Sequence, residues 1–133
     1  MSNTAKSIIL YVDDDNDDCI FLKTSIEDAG SKADVICAND GEEAVRYLNS
    51  VSSDALPSLI VLDLDMPRWD GKKTLQYLKS NPQLAKIPVV ILSTSEREKE
   101  RCQQMGAVSY YIKPHHFIGY REIIDNFFQV MKA

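Results

Sequence analysis

Four short segments of this 133-residue chain carry the side chains that could do chemistry: Asp13-Asp14-Asp15, Asp63-Leu64-Asp65, Ser93-Thr94-Ser95 and Lys113-Pro114. Carboxylates brought together repel, and each is pushed toward its protonated form unless a cation compensates. A hard divalent ion with oxygen ligands is a natural compensation. Mg²⁺ typically takes one or two carboxylates together with water or phosphate oxygens, and it commonly bridges to phosphoryl groups. One carboxylate can then act as nucleophile and become an aspartyl phosphate. The Lys113 ammonium and the Ser93 hydroxyl are suitable partners for the phosphoryl oxygens.

The same residues set the charge of the chain. Its 15 Lys and Arg face 20 Asp and Glu, for a formal net charge of −5 and a pI near 4.9. Asp13, Asp14, Asp15, Asp17, Asp18 and Asp63 are six of the 20 acids; without them 14 acids face 15 bases. Two short segments therefore hold the whole negative excess. An acidic chain without a basic run is poorly suited to non-specific nucleic-acid binding, which needs Lys and Arg against phosphates. No apolar stretch approaches the roughly 18–20 residues of a membrane span, and the apolar run near the N-terminus is too short for a signal peptide's core. Cys19, Cys37 and Cys102 are odd in number and irregularly spaced, with no Cys/His zinc pattern. They fit reduced, inert fillers in a cytoplasmic chain.

The elements that must position these residues follow from hydrophobic periodicity. SIILYV (7–12), ADVICA (33–38), LIVL (59–62), VVIL (89–92) and residues 107–112 read as strands, the first buried on both faces and the third buried as well. Between them lie helical patterns: one from Asp17 stopping at Gly30, one capped by Asn39 or Asp40, one over 72–79 closed by Asn81-Pro82, and one over 96–105 stopping at Gly106. A last amphipathic helix spans 117–131. Strands alternating with helices predict an α/β fold, a doubly wound parallel sheet of five strands with helices on both faces. In such sheets ligands bind outside the carboxyl ends of the strands. The four chemical segments all sit at such ends, so the fold brings them to one edge.

The chain resembles the receiver domain of bacterial two-component response regulators. The motifs are ILYVDDD (9–15), LIVLDLDMPRWDG (59–71), IPVVILSTS (87–95) and GAVSYYIKP (106–114), in the family's order and across essentially the whole chain. The resemblance implies a flavodoxin-like sheet of order 2-1-3-4-5 with five helices. It implies a single receiver domain over 1–133, its core about 6–131, with no output domain. Asp63 matches the phosphoacceptor. Asp13 and Asp14 match the acidic pair that holds Mg²⁺ with Asp63, and the backbone carbonyl of Asp65 matches a further metal ligand. Ser93 matches the hydroxyl residue and Lys113 the lysine that contact the phosphoryl group. Tyr110 matches an aromatic residue that turns inward as Ser93 moves. Pro114 matches a proline that follows a cis peptide bond. Ser93 stands where Thr is commoner, and an acidic Asp65 departs from the usual residue two past the acceptor.

Other residues have plainer readings. Asp15 is a loop or cap residue, Asp17 and Asp18 favour a helix dipole at its start, and Asp70 before Gly71 is a turn residue. An EF-hand beginning at Asp13 fails, because its sixth position is Asp18 rather than Gly and its twelfth is Thr24 rather than Glu. His115, His116 and Trp69 read as loop or helix-start residues. Tyr110 and Tyr111 point to opposite faces of their strand. The charged run over 96–101 pairs like with like at i,i+4 and stabilises itself little.

These readings converge on a stand-alone response regulator, a signalling domain rather than a conventional enzyme. It is expected to take a phosphoryl group onto Asp63 from the phosphohistidine of a sensor or hybrid histidine kinase, and then to dephosphorylate itself. The fourth helix, fifth strand and fifth helix (about 95–131) would present the changed surface to a downstream protein target or a second copy. The loop over 50–57 and the segment 81–88 resemble the small regulators that pair with bacteriophytochrome-type or hybrid kinases. The rival reading is a haloacid-dehalogenase-type phosphatase with Asp63 as nucleophile and Asp65 as acid/base. It is disfavoured because Asp63 ends the third strand rather than the first and Pro67 follows closely.

Overall fold

Unbroken runs of aliphatic and β-branched residues suit strands covered on both faces. The computed structural model describes residues 7–30, 32–64, 70–114 and 117–132, without the side chains of 117, 118 and 132. It forms five strands: β1 (Ile8–Val12), β2 (Asp34–Ala38), β3 (Leu59–Asp63), β4 (Val89–Ser93) and β5 (Ser109–Ile112). Five helices alternate with them: α1 (Asn16–Asp28), α2 (Gly41–Ser50), α3 (Gly71–Ser80), α4 (Lys99–Gln104) and α5 (Phe117–Lys132). Every pairing is parallel, as the alternation of elements predicts, and the order is β2-β1-β3-β4-β5, as the family resemblance implies.

Side chains alternate across the sheet and feed two cores. Leu10, Val12, Ile60, Leu62 and Ile91 pack against Ala44, Leu48, Leu75, Leu78 and Cys102, on the side of α2, α3 and α4. Ile9, Tyr11, Val61, Val90 and Leu92 pack against Leu22, Ile26, Ile124 and Phe127, on the side of α1 and α5. Tyr110 joins the first core, and Tyr111 lies half-buried against the second. Tyr120 is buried in the second core and Phe128 is packed against it.

Register brings the chemistry level. Val12 lies beside Leu62, Asp63 beside Leu92, and Ser93 beside Ile112. The Lys113 amide donates to the Ser93 carbonyl at 2.7 Å, carrying the ladder one residue past β5. Acidic caps start the helices beside this edge: Asp15 accepts from the Asp17 and Asp18 amides, Asp40 from Glu43 and Asp70 from Lys73. Asp70 is thus a helix cap as well as a turn residue.

Two differences from the sequence reading have local causes. The fourth helix begins at Lys99, not residue 96, because the Arg97 amide goes to the Ser95 hydroxyl at 3.1 Å. That local bond competes with helix formation, and the like-charged pairs offer no counterweight. The loop over 50–57 winds into a short 3₁₀ turn, Ser53–Ala55.

Gly71, the first residue of α3, sets how closely that helix approaches the end of β3. A Cβ there would lie 2.7 Å from Leu64 Cα and closer still to the Asp63 carbonyl oxygen, both backbone atoms with nowhere to go. Gly71→Ala should therefore push α3 off the strand end and lower stability by about 1–3 kcal/mol. Urea denaturation checks this; an unchanged midpoint would contradict the close approach.

Candidate functional site

Three carboxylates meet where β1 and β3 end. Asp13 and Asp63 are buried, each 3% exposed, and Asp14 lies at the surface. Asp13, Asp14 and Asp63 each offer a carboxylate oxygen within 4.8 Å of the others. Hard oxygen donors this close suit a hard divalent cation, so the donor set fits the Mg²⁺ expected from the sequence.

Lys113 stands among them from the end of β5. Its Nζ lies 2.8 Å from Asp13 Oδ2, 3.1 Å from Asp18 Oδ2 and 3.7 Å from Asp63 Oδ1. Burial alone would lower its pKa. The hydrogen bond to Asp13, the charges of Asp63 and Asp13 and the bond to Asp18 outweigh that and raise it, so the ammonium stays charged. For Asp13, burial pushes the carboxyl upward. Hydrogen bonds from Lys113, Tyr11 and the Asp15 amide more than reverse this, leaving its pKa below the usual value. Asp18 moves the other way, raised chiefly by burial despite its bond to Lys113. The arrangement is a partly neutralised acid cluster, with one cation shared among three acids and a fourth, Asp14, beside them.

Two members of this cluster are not evident as such in the sequence reading. Asp18 is more than a favourable charge at a helix start, since the first turn of α1 carries it onto Lys113. Tyr11 reads as a strand residue, yet its buried hydroxyl donates to Asp13 Oδ2. The alternation of a strand offers the signal, because residues two apart share a face. Burial, with the Asp13 charge and hydrogen bond, pushes the Tyr11 pKa far up and keeps it a donor.

Ser93 ends β4, only 2% exposed, and its hydroxyl accepts from the Ser95 amide at 3.2 Å. The Tyr110 hydroxyl in turn donates to the Ser95 carbonyl. Tyr110 is buried, turned inward and tied to the β4–α4 loop. Beyond Ser93 opens a cleft of about 550 Å³ lined by Leu64, Asp70, Lys72, Ser95, Arg97 and Glu98. Lys72 Nζ meets Glu98 Oε1 at 2.8 Å, joining the starts of α3 and α4.

Some expectations are corrected or lie elsewhere. Among the described residues no peptide bond is cis, so the Lys113–Pro114 bond is trans, against the isomer implied for Pro114. The two isomers of an X–Pro bond differ by only about 0.5–1 kcal/mol intrinsically, so local packing selects between them. Cys19 and Cys37 face each other rather than being separate inert fillers, their Cα atoms 6.3 Å apart and within the range of a disulfide. Cys102 is a buried thiol, as expected. Asp65, Trp69, His115 and His116 lie outside the described residues.

The comparisons with known proteins agree with this geometry. The family model for the response regulator receiver domain matches residues 9–125. The probable methanogenesis regulatory protein FilR2 of Methanothrix harundinacea is 32% identical over 89% of this chain and 79% of its own. Response regulator Rcp1 of Synechocystis is 34% identical over 74% of this chain and 69% of its own. The crystal structure of Rcp1 in its Mn²⁺-bound form covers 91% of each chain at TM-score 0.78 and 27% identity. The phosphorylated cyanobacterial phytochrome response regulator RcpA matches at TM-score 0.84 and 29% identity, covering 97% of this chain and 96% of its own. The receiver family, not the phosphatase, is the reading these likenesses support.

The charge balance has a pH signature. The folded pKa of Asp13 lies below its ordinary 3.8, so its contribution to stability is present above that value and lost as pH falls through the folded pKa. Asp18, raised, contributes with the opposite sign and offsets part of it. Lys113→Met removes the compensating cation from a buried pair. It should destabilise the metal-free protein by about 3–5 kcal/mol and move the acid loss of stability to higher pH. Thermal melts from pH 2 to 7 check both; a variant with the wild-type acid profile would contradict the assignment.

Proposed function

Because the chain belongs to the response regulator receiver family of two-component systems, we propose that Asp63 accepts a phosphoryl group from the phosphohistidine of a histidine kinase. The observation that carries this reading is the convergence of Asp13, Asp14 and Asp63 on one edge with Lys113 among them. A Mg²⁺ ion held by those three carboxylates, with the Asp65 carbonyl as a further ligand, would supply charge neutralisation for the incoming phosphoryl oxygens.

An Asp63 carboxylate oxygen attacks phosphorus. The new O–P bond forms as the P–N bond to the kinase imidazole breaks, and the departing nitrogen takes the bonding pair and then a proton from solvent. Lys113, already 3.7 Å from Asp63 Oδ1, pairs with a phosphoryl oxygen as negative charge accumulates. Its raised pKa keeps it cationic throughout. The Ser93 hydroxyl turns its proton to another phosphoryl oxygen. Because the Ser95 amide bonds Ser93 and the Ser95 carbonyl accepts from Tyr110, a shift of Ser93 is passed to Tyr110 and thence to the face of α4, β5 and α5. Val108 and Ile112, exposed there at 50% and 38%, would meet a downstream protein. Attack of water on phosphorus ends the signal and restores the Asp63 carboxylate.

Likeness to phytochrome response regulators supports a phytochrome-type sensor as phosphodonor. Among the described residues no helix is long and apolar enough to cross a membrane, which is consistent with the cytoplasmic setting proposed for this exchange.

Incubation with acetyl phosphate and Mg²⁺, read by intact mass, should add one phosphoryl group to the wild type and none to Asp63→Asn. Lys113→Ala should slow the reaction by on the order of 10- to 100-fold, through loss of a charge-assisted contact. No mass gain at saturating donor would overturn the proposal. Mg²⁺ at 100 times its dissociation constant should also stabilise the wild type by about 2.7 kcal/mol. Asp13→Asn should lose most of that gain; an equal gain in the variant would place the cation elsewhere.

A further inference from the structure

The acidic loop over 13–15 is held at both ends by elements that one covalent bond can join. At one end the Asp13 amide donates to the Ala38 carbonyl at 3.0 Å, fixing the loop to the end of β2. At the other, the Cys19 amide donates to the Asp15 carbonyl at 3.3 Å, closing the first turn of α1. Cys19 in that turn and Cys37 next to Ala38 face each other, with Cα atoms 6.3 Å apart, inside the span a disulfide bridges without backbone movement. A bond between them, together with the Asp13–Ala38 hydrogen bond, would close a ring that contains Asp13, Asp14 and Asp15. It would also anchor the residue next to Asp18, which shares Lys113 with Asp13.

The two thiols differ in setting from the third. Cys37 is half-buried on an edge strand, within reach of a small thiol, while Cys19 is 6% exposed. Cys102 is fully buried in the opposite core, and burial raises its pKa and keeps it unreactive. Disulfides in chains that work in reducing surroundings are usually transient or redox-sensing.

We infer that Cys19 and Cys37 form a reversible thiol–disulfide switch whose oxidation braces the 13–15 loop and tightens the hold of the acidic site on a divalent cation. The exchange balances with a small disulfide such as oxidised glutathione. One protein thiolate attacks it and releases one glutathione thiolate; the second displaces the other glutathione and forms the Cys19–Cys37 bond. The protein loses two electrons and two protons, and the oxidant becomes two glutathione molecules. Tighter binding follows because a loop already ordered spends less free energy on ordering when the ion arrives.

The inference rests on the cation site proposed above, and one experiment separates the two. The full chain is equilibrated with oxidised glutathione or with dithiothreitol. Thiols are then counted under denaturing conditions, and Mn²⁺ binding is followed by loss of the free-ion electron paramagnetic resonance signal. The switch predicts three thiols in the reduced protein and one in the oxidised protein, reverting to three with dithiothreitol. It predicts Mn²⁺ binding at least twofold tighter in the oxidised form. Cys37→Ser should bind as the reduced protein under both conditions, and Cys102→Ser should switch like the wild type. Three thiols remaining after oxidation, a pairing that involves Cys102, or equal Mn²⁺ affinity in the two forms would overturn the switch while leaving the cation site standing. Mn²⁺ bound by neither form would overturn the cation site itself.

Discussion

Carboxylates cannot be buried together in their charged form without a cation, and this constraint organises the carboxyl edge of the sheet. Asp13 and Asp63 are both nearly inaccessible, and Lys113 reaches both, a contact that helps hold the Asp13 carboxyl below its ordinary pKa. Lys113 can do so because the ladder from β4 extends past β5 and fixes its backbone. Asp18 and Tyr11 complete the arrangement from the first turn of α1 and from β1. A lone ammonium does not neutralise four carboxylates, so the edge keeps a negative remainder. That remainder is what a divalent ion would balance, and binding it would free Lys113 to turn toward a phosphoryl group.

The scaffold meets the constraint through geometry that a parallel sheet provides. All five strands deliver their carboxyl ends to one side, and the register keeps Asp63 and Lys113 each within one residue of the level of Ser93. Gly71 lets α3 come up against the Asp63 backbone, and Asp70 caps that helix immediately beside the site. On the far side of Ser93, the Ser95 backbone links its hydroxyl to Tyr110, so chemistry at the edge is connected to the outer face through two hydrogen bonds.

Much of this was legible in the chain. Apolar runs ending in Asp13, Asp63, Ser93 and Lys113 sufficed to predict the alternation of elements and the common edge, because period and strand termini are encoded locally. The partners of Lys113 were less legible. Asp18 reaches it only because α1 packs across the end of β1, and a helix-start aspartate carries no mark of which distant cation it will face. The Cys19–Cys37 pair was hidden for the same reason: separation along the chain says nothing of proximity once β2 folds beside β1. The start of α4 lies three residues beyond the one the sequence predicts because the Ser95 hydroxyl diverts the Arg97 amide.

Asp63, of all the acids at this edge, is the proposed nucleophile. Borohydride reduction of the acetyl-phosphate-treated protein converts an aspartyl phosphate to homoserine, and peptide mapping then locates it. Homoserine at position 63 alone is the predicted result. Homoserine at position 13 or 14, or a phosphoryl group that resists reduction because it sits on a serine such as Ser93, would contradict the account.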